Sequence, residues 1–80
     1  MMVKTMTPMI RYTIPESGGL QKTRVSLANS LGQEVDVLFD GFQQPGKYTV
    51  ELDKNKFQSG WYILLLEVNG HRDTRTLALF

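Results

Sequence analysis

Apolar side chains fall on every second residue through most of this chain, a period that fits strands with one face on a core and one on water. Ile10, Tyr12 and Ile14 alternate with Arg11 and Thr13 until Pro15 stops the run. Val25 and Leu27 alternate with Arg24, Ser26 and Ala28, and Tyr48, Val50 and Leu52 with Thr49, Glu51 and Asp53. Val35 and Val37 alternate with Glu34 and Asp36 until Leu38-Phe39 breaks the phase, which predicts a β-bulge. Turn signals separate the runs at Pro15–Gly19, Asn29–Gly32, Asp40-Gly41, Pro45-Gly46, Gln58–Gly60 and Asn69-Gly70. Short strands punctuated in this way indicate a sandwich or a barrel. Asn-Gly between two apolar runs is the strongest of these signals, because a type I′ hairpin turn needs positive φ at both central residues. It predicts that Trp61–Val68 pairs with Arg72–Phe80. Gly32, Gly46, Gly60 and Gly70 are the turn glycines, and the first three each precede a strand. No helical stripe exceeds one turn; Asp53–Phe57 is the single short candidate, with Phe57 closing one end of the core.

The expected fold is all-β, an antiparallel sandwich of six or seven strands. The expected core is Ile10, Tyr12, Ile14, Val25, Leu27, Val35, Leu38, Tyr48, Val50, Leu52, Phe57, Tyr62, Leu64, Leu66, Leu77 and Leu79. Eighty residues make one domain, which buries only about 60–65% of the surface its unfolded chain exposes and has little stability to spare.

Charge and composition remove several functional classes. Nine basic and eight acidic residues leave a net charge of +1, so neither nucleic acid nor an anionic membrane is indicated as a partner. There is no cysteine, hence no disulfide and no thiolate metal site. His71 is the single histidine, which excludes a multi-histidine metal cluster. The longest strongly apolar run, Trp61–Leu66, is far too short to be a transmembrane segment. The opening MMVKTMTPMI has one Lys and no continuous apolar stretch, unlike a signal peptide.

No catalytic, cofactor-binding or metal-ligating residue is assigned. Ser17, Ser26, Ser30 and Ser59 lack a Gly-x-Ser-x-Gly setting, and His71 after the Asn-Gly turn reads as a solvated turn residue. Asp40, Asp53 and Asp73 have no spacing that suits Ca²⁺, and Gly18-Gly19 lacks the strand–loop–helix context of a phosphate loop. Arg72 and Arg75 read as solvated charges that discourage edge-to-edge pairing.

One run differs from the rest. In Gly60–Val68 both faces are apolar: Tyr62, Leu64, Leu66 and Val68 on one, Trp61, Ile63 and Leu65 on the other. Two readings stand. The run is a central strand whose outer face neighbouring side chains cover, or Trp61, Ile63 and Leu65 form an exposed apolar association patch. In the second case a weak symmetric homodimer would bury them.

The order of signals resembles a known family. The segments are Ile10–Glu16, then Val25-Ser26-Leu27-Ala28-Asn29-Ser30-Leu31-Gly32-Gln33-Glu34-Val35, Asp40-Gly41, Pro45-Gly46, Tyr48-Thr49-Val50, Ser59-Gly60-Trp61-Tyr62 and Thr74–Leu79. Together they resemble the type A C-terminal sorting domain of proteins exported by the type IX secretion system of Bacteroidota. The pattern is also similar to the immunoglobulin-like domain of the flagellar hook-capping protein. The likeness covers residues 8–80, with residues 1–7 as a start or linker. Leu65 stands where the family often has a basic or polar residue, which enlarges the apolar face.

What the resemblance implies is an immunoglobulin-like sandwich that serves as an address and not as an enzyme. It implies a longer precursor with an N-terminal cargo domain, recognition by the translocon and by sortase components, and delivery to the cell surface or the medium. Contacts are expected from the turn-borne Gln33 and Glu34 and from Arg75, with Leu77 and Leu79 on the final strand acting as both core and signal. Tyr62 reads as a core residue. The alternative is a structural immunoglobulin-like module that packs against neighbouring subunits, as the hook-cap domain does.

Overall fold

The computed structural model describes residues 9–16 and 18–79; the linker assigned to residues 1–7 and the terminal Phe80 lie outside them. Six strands form: β1 (Met9–Ile14), β2 (Gln21–Asn29), β3 (Glu34–Gln43), β4 (Gly46–Glu51), β5 (Gly60–Val68) and β6 (His71–Leu79). A 3-10 turn, Lys54–Lys56, separates β4 from β5. All strand pairs are antiparallel. They make a four-stranded sheet in the order β3-β2-β5-β6 and a two-stranded sheet, β1-β4. The two sheets pack as a β-sandwich.

The core lies between the sheets and follows the period-two pattern. From the small sheet come Ile10, Tyr12 and Ile14, with Leu52 just past β4. From the large sheet come Val25, Leu27, Tyr62, Leu64, Val68 and Leu79. Leu38, Phe39, Tyr48, Val50, Phe57, Leu66 and Leu77 pack around them, partly buried. Tyr12 and Tyr48 are cross-strand partners whose rings stack at 5.6 Å. Phe57 closes one end of the core against Tyr62, edge to face at 5.9 Å.

The β5–β6 hairpin forms at Asn69-Gly70, where φ is 49° and 85°, as a type I′ turn requires. The pairing is one residue longer than the sequence indicates, because His71 faces Val68. Asn69 also ties the turn to β2. Its backbone N–H donates to the Lys22 carbonyl at 2.9 Å, and its Oδ1 accepts from the Lys22 N–H at 3.0 Å. Its Nδ2 donates to Oε1 of the buried Gln21 at 3.2 Å, while Gln21 Nε2 donates to the Pro15 carbonyl at 2.6 Å. A buried amide is thus satisfied at both ends, which removes the desolvation penalty of leaving it bare.

Strand β3 departs from the sequence reading in two places. Its pairing with β2 shifts register twice, between Val25 and Ser26 and between Leu27 and Ala28. The first shift leaves Leu38 without a partner opposite, at the position where the broken phase predicts a bulge. The second leaves Val35 unpaired, and Val35 is 43% exposed instead of in the core. A second bulge resets which side chains face inward, so plain alternation from Val35 misplaces it. Asp40-Gly41 is likewise no turn. Both residues lie inside β3, opposite Arg24 and Thr23, and the reversal waits until Gln44-Pro45.

The small sheet covers only part of the large one. The inner-face side chains of β6 change from buried Leu79 to exposed Arg75, Asp73 and His71 along the strand. Arg75 bridges the gap, because its Nη1 donates to the Arg11 carbonyl on β1. A charged side chain over an unpaired backbone is a common way to blunt an edge strand.

Candidate functional site

The segments that carry the family likeness meet at one end of the sandwich. Asn29 is the cross-strand partner of Tyr62, Tyr62 of Leu77, Trp61 of Ala78, and Gly60 of Leu79. This places the Asn29–Val35 turn, the Gln58–Tyr62 entry into β5 and the last residues of β6 side by side.

Local hydrogen bonding shapes both loops. In the first, the side chain of Asn29 organises the chain that follows. Its Oδ1 accepts from the N–H of Leu31 and from that of Gln33, each at 3.0 Å. The Gly32 N–H donates to the Asn29 carbonyl at 2.9 Å. Asn is favoured here because its short amide can stand in for a backbone partner two residues on. With its backbone held, Leu31 projects into solvent, 82% exposed.

In the second loop the Tyr62 ring is buried and its hydroxyl donates back to the Gln58 carbonyl at 2.6 Å. This is the logic of the tyrosine corner of sandwich domains. The same device opens β4, where Tyr48 donates to the Gln44 carbonyl at 2.6 Å. In each case Gly stands two residues before the Tyr, at φ 149° for Gly46 and 155° for Gly60. Only glycine adopts that backbone readily. The Gly-x-Tyr spacing therefore encodes a local strand entry, used twice.

Between the two loops lies a shallow cleft of about 230 Å³, lined by Leu31, Trp61, Asn29, Ser30, Gln58 and Ser59 among others. Trp61 is 58% exposed. No described residue lining the cleft is charged. The arrangement suits an apolar contact framed by neutral hydrogen-bonding groups. It offers no nucleophile–base pair, and among the described residues no three metal-ligating side chains gather. Among the described residues no helix is long and apolar enough to cross a membrane.

The residues named from sequence are placed as follows. Glu34 is held by Arg24 through two hydrogen bonds, at 2.7 and 3.0 Å. That guanidinium keeps the Glu34 carboxyl below its ordinary range, chiefly by hydrogen bonding. Gln33 Oε1 accepts from Asn29 Nδ2 at 3.0 Å. Arg75 is engaged with Arg11 across the sandwich. All three polar candidates thus have partners within the chain, although they remain exposed. Leu77 is half-buried and Leu79 buried, both against the core. Ile63 and Leu65 are half-buried on the outer face of β5, beside the exposed Trp61. Leu31 was not singled out from sequence. The available signal is an apolar residue enclosed by turn formers, Asn29-Ser30 before it and Gly32 after it, with no strand phase to bury it.

No protein-family model, curated protein or solved structure matches the chain.

Proposed function

We propose that this chain is an address and interaction module similar to the type A sorting domain: it directs an attached cargo through the type IX translocon to the cell surface. One observation carries the reading. The segments that resemble the family's motifs, Leu31–Val35 and Ser59–Tyr62, share one end of the sandwich with the close of β6 and present Leu31 and Trp61 there. Side chains so exposed are not needed by the core, and exposed loops on a rigid frame are where binding residues concentrate. Leu31 and Trp61 supply the contact, and Asn29 and Tyr62 position it. Gln33, Glu34 and Arg75 act through the loops and edges they brace.

The test is a fusion of the domain behind a reporter bearing a signal peptide, in a bacterium that has the type IX system. The expected result is reporter at the cell surface. Leu31→Asp and Trp61→Ala should retain it in the periplasm while the purified domain keeps its strand-type circular dichroism. A reporter that stays periplasmic behind the intact, folded domain overturns the sorting role. The structural reading, similar to the hook-cap domain, then takes its place; the broad outer face of the large sheet favours it.

A further inference from the structure

The outer face of the large sheet is ordered in rows that run across all four strands. Cross-strand partners define them as Asp40–Arg24–Glu67–Arg72, then Val37–Ser26–Leu65–Thr74, then Glu34–Ala28–Ile63–Thr76. Trp61 and Ala78 continue the face beyond β2 and β3. The first row alternates in charge from edge to edge, with Arg24 3.8 Å from Asp40 and Arg72 3.7 Å from Glu67; the Arg24 guanidinium is bonded more closely to Glu34 two rows on, at 2.7 and 3.0 Å. The next rows are uncharged except for Glu34. On β5 they carry the large residues Leu65 and Ile63, and on β2 the small residues Ser26 and Ala28. Ser26 is 2% exposed, so the chain's own neighbouring side chains already close the floor of the face there.

This pattern is complementary to itself. A two-fold axis parallel to the strands, midway between β2 and β5, lays β5 of one copy over β2 of the other and β6 over β3. Leu65 then falls opposite the second copy's Ser26, and Ile63 opposite its Ala28. Large residues meeting small ones let facing layers interdigitate. In the charged row Glu67 falls opposite the second copy's Arg24, and Arg72 opposite its Asp40. Every one of these pairs occurs twice by symmetry. Strands related by this axis are aligned, and aligned sheets pack at about 30°.

We propose that the outer face of the β3-β2-β5-β6 sheet is a homodimer interface, in which Ile63 and Leu65 of each copy pack over β2 of the other and Trp61 over the turn that follows it. The inference does not rest on the sorting role, although Trp61 serves in both. Four strands about 4.8 Å apart and rows spanning about 20 Å give a projected face of roughly 400 Å² per copy. That is about half of the roughly 800 Å² of accessible surface per partner that stable specific complexes bury, and belongs with weak, transient association. The dimer is therefore one that dissociates on dilution.

Sedimentation equilibrium over a wide concentration range tests it with the whole chain. The wild type should show a reversible monomer–dimer equilibrium, and Leu65→Lys should abolish it without changing the circular dichroism. Glu67→Arg alone and Arg24→Glu alone should each weaken association about tenfold or more, because each sets like charges opposite one another at two symmetric places. Mixing the two single variants should restore dimers at near wild-type affinity, since the Arg introduced at position 67 then meets the Glu introduced at position 24. Rescue in the mixture reads contact between copies, because pairing inside each chain is the same before and after mixing. A wild type that stays monomeric at the highest concentration reached, or a mixture that fails to recover, overturns the interface.

Discussion

Asn29 and Gln33 are joined by three hydrogen bonds: Asn29 N–H to the Gln33 carbonyl at 2.8 Å, Gln33 N–H to Asn29 Oδ1 at 3.0 Å, and Asn29 Nδ2 to Gln33 Oε1 at 3.0 Å. The turn that displays Leu31 is therefore fixed from within. Asn29→Ala removes the acceptor of two backbone N–H groups and should cost about 1–2 kcal/mol by urea unfolding. Gln33→Ala removes only the exposed side-chain bond and should cost no more than about 0.5 kcal/mol. Equal losses in the two variants would show that Asn29 does not organise the turn.

Leu64 and Leu31 are the same residue type at opposite extremes of burial. Leu64 sits in the centre of β5, fully buried between the sheets. Leu64→Ala should cost about 2–5 kcal/mol through lost burial and an unfilled cavity. That is comparable to the whole stability of a small domain, so the variant should be largely unfolded at room temperature. Leu31→Ala should change the urea midpoint very little. A marked loss of stability in Leu31→Ala would mean that the side chain packs and is not displayed.

Strand existence was readable in the sequence where one face meets the core and the other meets water. Ile10–Ile14 and Tyr48–Leu52 keep strict phase because each has a single regular neighbour, the other. Asn69-Gly70 fixed the β5–β6 register through backbone conformation alone. Val35 was misplaced because its orientation depends on two bulges against β2, which is a property of the pair and not of β3. Asp40-Gly41 carries a turn dipeptide, but Arg24 opposite Asp40 and the continuing ladder to Gln43 hold it in the strand. Phe39 lies outside the expected core because the far side of a bulge loses the simple period, whereas Val68 keeps phase with Tyr62, Leu64 and Leu66 and is buried on the same face. The candidate site was legible as motifs only. That Leu31–Val35 and Ser59–Tyr62 share an end follows from Asn29 pairing with Tyr62, which no local pattern shows.

The Tyr12 phenol gives the domain an alkaline limit. Burial is the main cause that raises its pKa above the ordinary value of 10.0, and the hydroxyl donates to Gln43 Oε1 at 2.9 Å. A group whose folded pKa is raised contributes stability that is complete below the unfolded value and lost as pH rises through the folded one. Urea midpoints should therefore hold up to about pH 10 and then fall. Tyr12→Phe should lower the midpoint somewhat at neutral pH, because Gln43 loses its donor, and should flatten the alkaline fall. An alkaline limb equally steep in the variant would assign the loss to other groups.

Tyr48 and Tyr62 test whether one local device does the same work in two settings. Each hydroxyl donates to the carbonyl four residues earlier at 2.6 Å, behind a glycine of large positive φ. The Tyr62 bond is partly buried, whereas that of Tyr48 is exposed. Water can replace the lost donor at Gln44 far better than at Gln58. Tyr62→Phe should cost about 1–1.5 kcal/mol and Tyr48→Phe about 0.5 kcal/mol or less. Gly46→Ala and Gly60→Ala should each cost about 1–3 kcal/mol, because the strain lies in the backbone and not in any clash. Steric room supports that attribution: an added Cβ meets nothing within 4 Å at Gly60, and only the Tyr48 ring, at 4.0 Å, at Gly46. Amide hydrogen exchange on Ser59 and Gly60 should speed up in Tyr62→Phe and stay unchanged in Tyr48→Phe. If Tyr62→Phe and Tyr48→Phe behave alike, burial does not set the worth of the bond.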